Sequence, residues 1–576
     1  MGQTPSIDAT NWWADEDEQW EKEAADNKEL SHVGKAVYHA LRTNYAESRH
    51  HMWNITRSAM VGPLQQTPPV TVFTENVTLT QESEHSHTFV DELFGVMSKT
   101  TKWCDVMSLA PPTEKGYFLL KMKEALVTIA KTAKEKDPTD PIIVRMMFGF
   151  GYGENTVTPA IDCKYWREQL TEGLPEDANI QLWVSAWRYG LSWNHAKMIA
   201  VDGKYLNTGG HNLWSETYLK KYPVHDISIE MEGYVTHDAH EFANTQWAWV
   251  ESRLSTIWGR IWDVLPDWVP LLFNRADISE WPILTPRFPP AYRPSIVDKY
   301  QSHQSPDDAV PVISVGRQAA LVDKVYPADA ALVVMLDSAK KSIRMSLQDL
   351  GPVSPTYGWP KEELQVMAKA MLTRGVTIEI VLSNRNLSNR NTTSYSNFLR
   401  GYSIERVESK IFKYMNKLSK IFKYMNKLYP IMTKDVFKNE VIGKKLFISF
   451  IRHQSGTTYY QSDIEVMNHP KFIIVDDVCS YTGSQNLYKA DLAEWGLIID
   501  DADVTTKMME DYWNPMWKAS FNECDCNKEK VMECIDNDTD DDDEGEVVNP
   551  YTFNGRKKME QAVTALINAE APRNNN

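Results

Sequence analysis

The chain has 576 residues and a formal net charge of −17, from 61 Lys and Arg against 78 Asp and Glu. Its length predicts more than one unit of ordinary domain size. The acidity argues against a nucleic-acid partner, which needs a basic face, and no apolar run approaches the ~18 residues that a membrane-spanning helix requires.

Taken in chain order, residues 1–50 read as an acidic extension with helical patches. It opens on Met1-Gly2-Gln3-Thr4-Pro5-Ser6, which fits the acylation pattern M-G-x-x-x-[ST] and makes Gly2 a myristoylation candidate. The polar N-terminus has no signal-peptide core. A first half spans 51–280, with a helix near 116–134, strands at 142–147 and 181–186, a closing strand from Asp226, and a helix toward Trp258. Pro282, Pro286, Pro289, Pro290 and Pro294 mark a linker over 281–312. The second half, 313–520, repeats the plan: a helix before Lys341, a strand at 343–347, a helix at 362–372, a strand at 376–382 and a closing helix toward Trp517. Strands alternating with helices predict an α/β fold with helices on both faces of the sheet. Residues 521–576 form an acidic tail. Its Asp536–Glu546 run is read as solvated and lacks the register of a calcium loop. Six cysteines make no disulfide framework, and Cys524, Cys526 and Cys534 are read as free thiols with no metal.

One segment stands apart. Ser409–Leu418 recurs unchanged as Ser419–Leu428. Lysines 410, 413, 417, 420, 423 and 427 keep three- and four-residue steps and are expected on one helical face. Ile411, Tyr414, Met415, Leu418, Phe422 and Met425 lie opposite. Two readings stay open: a helix lying on a lipid surface, or an amphipathic helix packed on the second half with its lysines in water.

The chemistry is concentrated in a motif that occurs twice. His195-x-Lys197-x4-Asp202 and His469-x-Lys471-x4-Asp476 share all offsets, and both continue into a turn, Gly209-Gly210-His211-Asn212 and Gly483-Ser484-Gln485-Asn486. Residues i and i+2 of a strand face the same way, so each copy presents an imidazole beside an ammonium. The apolar run after each lysine reads as a strand buried on both faces, ended by the aspartate. Together the halves offer two histidines, two lysines and two asparagines, a set suited to a phosphodiester. Lysines and asparagines bind non-bridging oxygens, one imidazole attacks phosphorus and the other protonates the leaving alcohol. No cofactor or metal is needed for that.

These two blocks resemble the phospholipase D superfamily, and most of all its bacterial, Streptomyces-type members. The resemblance is carried by Ser192–Lys197, Gly209–Trp214 and Pro223–Ile227 in the first half, and by Gly483–Tyr488 and Ala493–Ile499 in the second. It implies two pseudo-twofold-related α/β/α sandwich halves with the active site at their interface. It implies a catalytic set of His195, Lys197, Asp202, His469, Lys471 and Asp476, with Asp226 orienting His469 and Glu494 orienting His195. His195 is then the nucleophile and His469 the general acid. Asn212, Asn486 and Ser484 would bind substrate, and Trp214 with Tyr218 would hold a choline headgroup by cation–π attraction. The implied reaction converts a glycerophospholipid such as phosphatidylcholine to phosphatidic acid, or exchanges its headgroup. From the chain itself the expected setting is a cytoplasmic, monomeric protein that meets a membrane surface transiently and binds no nucleic acid. A nuclease-type phosphodiesterase and a non-catalytic lipid-binding relative are the alternatives.

Overall fold

The computed structural model describes residues 30–67, 84–135, 141–149, 161–175, 177–189, 192–219, 224–254, 277–279, 306–318, 326–352, 358–383, 403–424, 431–452, 456, 459–461, 464–488, 490 and 492–537. Gly2, most of the proline-rich linker and the acidic run after residue 537 lie outside them.

Among the described residues, fourteen strands form the two symmetry-related halves of the main sheet. The first half has β1 (Trp53–Met60), β2 (Trp103–Ser108), β3 (Ile142–Phe148), β4 (Ile180–Ala186), β5 (Met198–Val201), β6 (Tyr205–Gly209) and β7 (Val224–Gly233). The second has β8 (Val310–Arg317), β9 (Ser342–Leu347), β10 (Thr377–Leu382), β11 (Leu446–Phe450), β12 (Lys471–Val475), β13 (Cys479–Gly483) and β14 (Glu494–Ile499). Their pairing runs β4-β3-β2-β5-β6-β7-β1 and then, in mirror order, β8-β14-β13-β12-β9-β10-β11. The halves meet where β1 pairs antiparallel with β8, Ile55 opposite Ile313. A pseudo-twofold axis therefore passes between those two strands.

Parallel neighbours require crossover helices. α1 (Tyr117–Lys134) joins β2 to β3, α2 (Cys163–Thr171) joins β3 to β4, α3 (Lys361–Arg374) joins β9 to β10, and α4 (Ile404–Tyr424) joins β10 to β11. The continuous apolar runs after both motif lysines are explained by cover on both faces. In β5, Ile199 and Val201 join the core of the first half while Met198 and Ala200 enter a core shared by both halves. In β12, Ile473 and Val475 face the second-half core, and Phe472 and Ile474 face the shared one.

Symmetry-related positions carry one ion pair in two polarities. Asp105 on β2 sits opposite Arg145 on β3, with Nε to Oδ1 at 2.6 Å, and both are buried. The matching strands β9 and β10 place Arg344 opposite Glu379 at 2.9 Å, partly in solvent. Burial pushes the Asp105 carboxyl up, but Arg145 and His240 outweigh it and bring it down to about 2.

The N-terminal extension and the C-terminal tail both reach the second half. Helix His32–Asn44 buries Val33, Val37 and Leu41 in its core, and Ser31 both caps that helix and hydrogen-bonds Asp500. Helix Lys528–Asp536 packs against α4.

The six-lysine face needs correction. Ten residues advance a helix by about 2.8 turns, so two identical decapeptides cannot present the same side. Ile411 is 0% exposed and its repeat equivalent Ile421 is 42% exposed. Lys410 is buried, its Nζ 5.8 Å from the ring centre of Trp359, whereas Lys420 lies in solvent. The apolar side formed by Ile411, Tyr414 and Met415 is spent on the protein core, which removes the surface a lipid-lying helix would bury. Lys427, Met425 and the side chain of Phe422 lie outside the described residues.

Next to Lys410, Glu408 is fully buried and accepts from the Cys526 thiol. Burial pushes its carboxyl up to about 8, only partly opposed by that bond. An acid whose folded value is raised stabilises the fold below its unfolded value, near pH 4.5, and loses that contribution as pH rises to about 8. Urea midpoints of the wild type should fall across that window, and Glu408→Gln should flatten the fall; parallel curves would refute this.

Candidate active site at the interface of the halves

Both motifs enter the sheet in the same way. The spacing puts the histidines on the buried strands, but β5 begins at Met198 and β12 at Lys471. Each histidine instead follows a short extended segment that pairs with the other half. Asn194 bridges Ala493 in parallel, and the His195 amide donates to the Ala493 carbonyl at 2.8 Å. In the symmetric place Asn468 pairs with His225, and the His469 amide donates to the His225 carbonyl at 2.8 Å. Ala493 and His225 immediately precede Glu494 and Asp226, so this pairing delivers each imidazole to the carboxylate of the opposite half.

The result is a crossed pair of dyads. His195 Nδ1 lies 2.9 Å from Glu494 Oε2, and His469 Nδ1 lies 2.6 Å from Asp226 Oδ2. A carboxylate only accepts, so Nδ1 carries the proton and Nε2 of each ring is the reacting nitrogen. Burial opposes ionisation of both acids. For Asp226 the His469 charge and hydrogen bond, with Lys471, outweigh it and hold the carboxyl well below its ordinary range. For Glu494 the His195 charge and hydrogen bond, with Arg317 and Lys197, also outweigh burial and lower the carboxyl from its ordinary value.

The lysines behave as a matched pair. Lys197 Nζ donates to the His195 carbonyl at 2.7 Å and Lys471 Nζ to the His469 carbonyl at 2.8 Å. Lys471 Nζ also lies 2.9 Å from His469 Nε2. Strands β6 and β13, which end in the two glycine turns, lie against each other. That contact brings Asn212 and Asn486 to one interface. They are 0% and 4% exposed, and neither side-chain amide has a hydrogen-bond partner among the described residues. Such groups cost free energy unless a ligand or water satisfies them. The turn itself requires glycine: a Cβ at Gly210 would stand 2.1 Å from Asp226 Oδ1.

Several expected site residues do other work. Asp202 and Asp476 are not at the reaction centre. They end β5 and β12, about 23 Å along the chain from the histidines at ~3.3 Å per residue, and adopt left-handed φ of 55° and 56°. Asp202 accepts from Thr101, Lys102 and Trp103 amides and from the Thr101 hydroxyl. Asp476 accepts from Lys340, Lys341 and Ser342 amides, with His32 Nε2 at 2.8 Å in the place of that hydroxyl. They tie each motif hairpin to the neighbouring strand.

Ser484, expected to touch substrate, donates to Glu494 Oε2 at 2.6 Å and braces that acid. Tyr218 donates to Asp226 Oδ2 at 2.9 Å and accepts from the Asn212 amide. With Trp214 it is buried in the first-half core, so neither ring offers an open face to a headgroup.

Four residues of the site escape the sequence reading. Asn194 donates to the carbonyls of Ser108 and Met147, and Asn468 to those of Leu347 and Val381, seating each histidine on the ends of two parallel strands. Their signal was present: asparagine precedes histidine in both copies. His211 pairs with Ser228 at 2.8 Å and with Thr67, and burial brings its pKa down to about 3, so it is neutral at physiological pH. Arg317 reaches Glu494 and has no counterpart in either motif. Among the described residues no group of three or more His, Cys, Asp and Glu side chains converges to hold a metal ion.

Residues 332–517 match the family model described as cardiolipin synthase, PLD-like domain. The chain is similar to a phospholipase D of Streptomyces antibioticus, 23% identical over 368 residues, covering 57% of this chain and 59% of that protein. The chain thus spans under two thirds of that relative. Among solved structures it is similar to a phosphatidylserine synthase of Haemophilus influenzae Rd KW20 (13% identity, TM-score 0.43, covering 87% of this chain and 96% of that one). It is also similar to the phospholipase D family member Nuc of Salmonella typhimurium (20% identity, TM-score 0.19, covering 34% and 88%).

Proposed function

The chain belongs to the phospholipase D superfamily of phosphodiesterases, and from that premise we propose that its substrate is a glycerophospholipid, cleaved between phosphate and headgroup. The observation that carries the reading is the crossed pair of dyads beside two lysines and two buried, unsatisfied asparagine amides. Lys197, Lys471, Asn212 and Asn486 supply cationic and amide donors for phosphate oxygens.

The reaction runs in two steps. His195 Nε2 attacks phosphorus, the bond to the headgroup oxygen breaks, and that oxygen takes the Nε2 proton of His469. His469, now a base, removes a proton from water, and the oxygen displaces histidine from phosphorus. The products are the headgroup alcohol and phosphatidic acid, with both imidazoles back in their starting states. An alcohol in place of water yields a new phosphatidyl ester. Glu494 and Asp226 keep the rings aimed and stabilise the imidazolium forms.

The net charge of −17 supports lipid over a polynucleotide substrate, which needs a basic groove. Phosphatidylcholine vesicles should release choline and phosphatidic acid, while a labelled oligonucleotide should stay intact at low salt. Oligonucleotide cleavage with steep salt dependence would replace this reading with the nuclease one. Inactivity on both would point to a binding protein.

A further inference from the structure

The two halves match in fold but not in what stands across the strand from each carboxylate. Opposite Glu494 on the neighbouring strand β8 is Arg317. Opposite Asp226, on the short strand Gln65–Thr67, is Thr67. Arg317 is 6% exposed and held at three points: Nε to the Leu492 carbonyl at 3.0 Å, Nη1 to Asp329 Oδ1 at 3.0 Å and Nη2 to Glu494 Oε1 at 3.3 Å. Gln485, from the second glycine turn, also donates to Asp329. Thr67, by contrast, bonds the neutral His211.

Resting on the phosphodiesterase reading above, we propose that Arg317 is a positioning residue that separates the roles of the two imidazoles. It shares the charge of Glu494 with His195, which therefore enters the reaction as the free base and nucleophile. Asp226, faced across its strand by an uncharged threonine, keeps the proton on His469 for the leaving group.

The charged and titratable groups around each acid support this partition. Glu494 faces Arg317 from β8, Tyr481 from β13, Asp329 from helix Pro327–Asp337, and His195 with Lys197 from the first half. Asp226 faces His469 and Lys471 from the second motif, His211 and Tyr218 from its own half, and Tyr512. Lys197 and Lys471 each donate to the carbonyl of their own histidine, at 2.7 and 2.8 Å. His211 is neutral. Among the described residues, the guanidinium beside Glu494, tempered by Asp329, has no counterpart beside Asp226. A proton on His469 Nε2 requires the Lys471 ammonium, 2.9 Å away, to turn to another acceptor, and a phosphate oxygen is such an acceptor.

The test is the pH profile of kcat/KM on phosphatidyl-p-nitrophenol. Its activated leaving group makes protonation by His469 dispensable, so the acidic limb reports the free base of the nucleophile. In Arg317→Thr, which imitates Thr67, full charge on Glu494 holds a proton on His195 more strongly. The acidic limb should move up by about one pH unit. Arg317→Lys should restore it. Asp329→Asn, at a half-exposed carboxylate, leaves the guanidinium less neutralised and should move the limb down. It keeps the idea testable if Arg317→Thr does not fold, which melting curves decide. Limbs that coincide in all variants, or a lysine variant that moves as far as the threonine one, would overturn the role. A wild type that cleaves no phosphodiester would instead remove the reading on which the role rests.

Discussion

His195→Asn is expected to lower kcat by about four orders of magnitude or more, the scale of losing an activated nucleophile. Lys471→Ala is expected to cost about 10²–10³-fold, the scale of one lost transition-state donor. The decisive comparison is with His469→Asn on phosphatidyl-p-nitrophenol. That leaving group departs without a proton, so the variant should release one equivalent of nitrophenol per site and then stall, because no base remains to activate water. Mass analysis of the stalled protein should show a phosphatidyl adduct on the peptide containing residue 195. His195→Asn should show neither burst nor adduct. Near-normal turnover in His195→Asn, or an adduct on the peptide of residue 469, would sink the assignment.

The second large effect is on stability. Arg145→Met leaves the Asp105 carboxylate buried beside His240 with its guanidinium gone, and removes a cation stacked 4.6 Å from the Trp103 ring centre. Breaking a buried pair in this way costs about 3–5 kcal/mol, read as a fall in urea midpoint at unchanged slope. Arg344→Met cuts the symmetry-related pair where both partners touch solvent, and should cost about 1 kcal/mol or less. Adding Asp105→Asn to Arg145→Met should recover part of the loss, because the unpaired charge rather than the missing contact dominates it. Equal effects at the two sites would show that burial is not what separates them.

Much of this molecule is legible in its chain. The doubled His-x-Lys blocks locate both halves of the site, and the apolar runs behind Lys197 and Lys471 are strands covered on both faces. The resemblance carried by Pro223–Ile227 and Ala493–Ile499 picks out Asp226 and Glu494, and the crossed hydrogen bonds have the expected partners. Local patterning suffices for these because strand period, turn chemistry and repeated motifs are properties of neighbouring residues.

Where the reading falls short, the missing quantity is register between distant segments. The resemblance makes Asp202 and Asp476 look catalytic, yet their oxygens are taken by amides about a hundred residues or more away. Ser484 and Tyr218 look like substrate contacts until β13, β14 and β7 align them with the acids. Lys410 and Lys420 share a decapeptide and differ in burial because 3.6 residues per turn does not divide ten. Arg317 opposes Glu494 only because β8 pairs with β14 at one register, and a single-residue slip would turn that guanidinium to the other face of the sheet. Motif chemistry is written in short stretches of chain, whereas the partners that tune it are set by how strands far apart in sequence come to lie side by side.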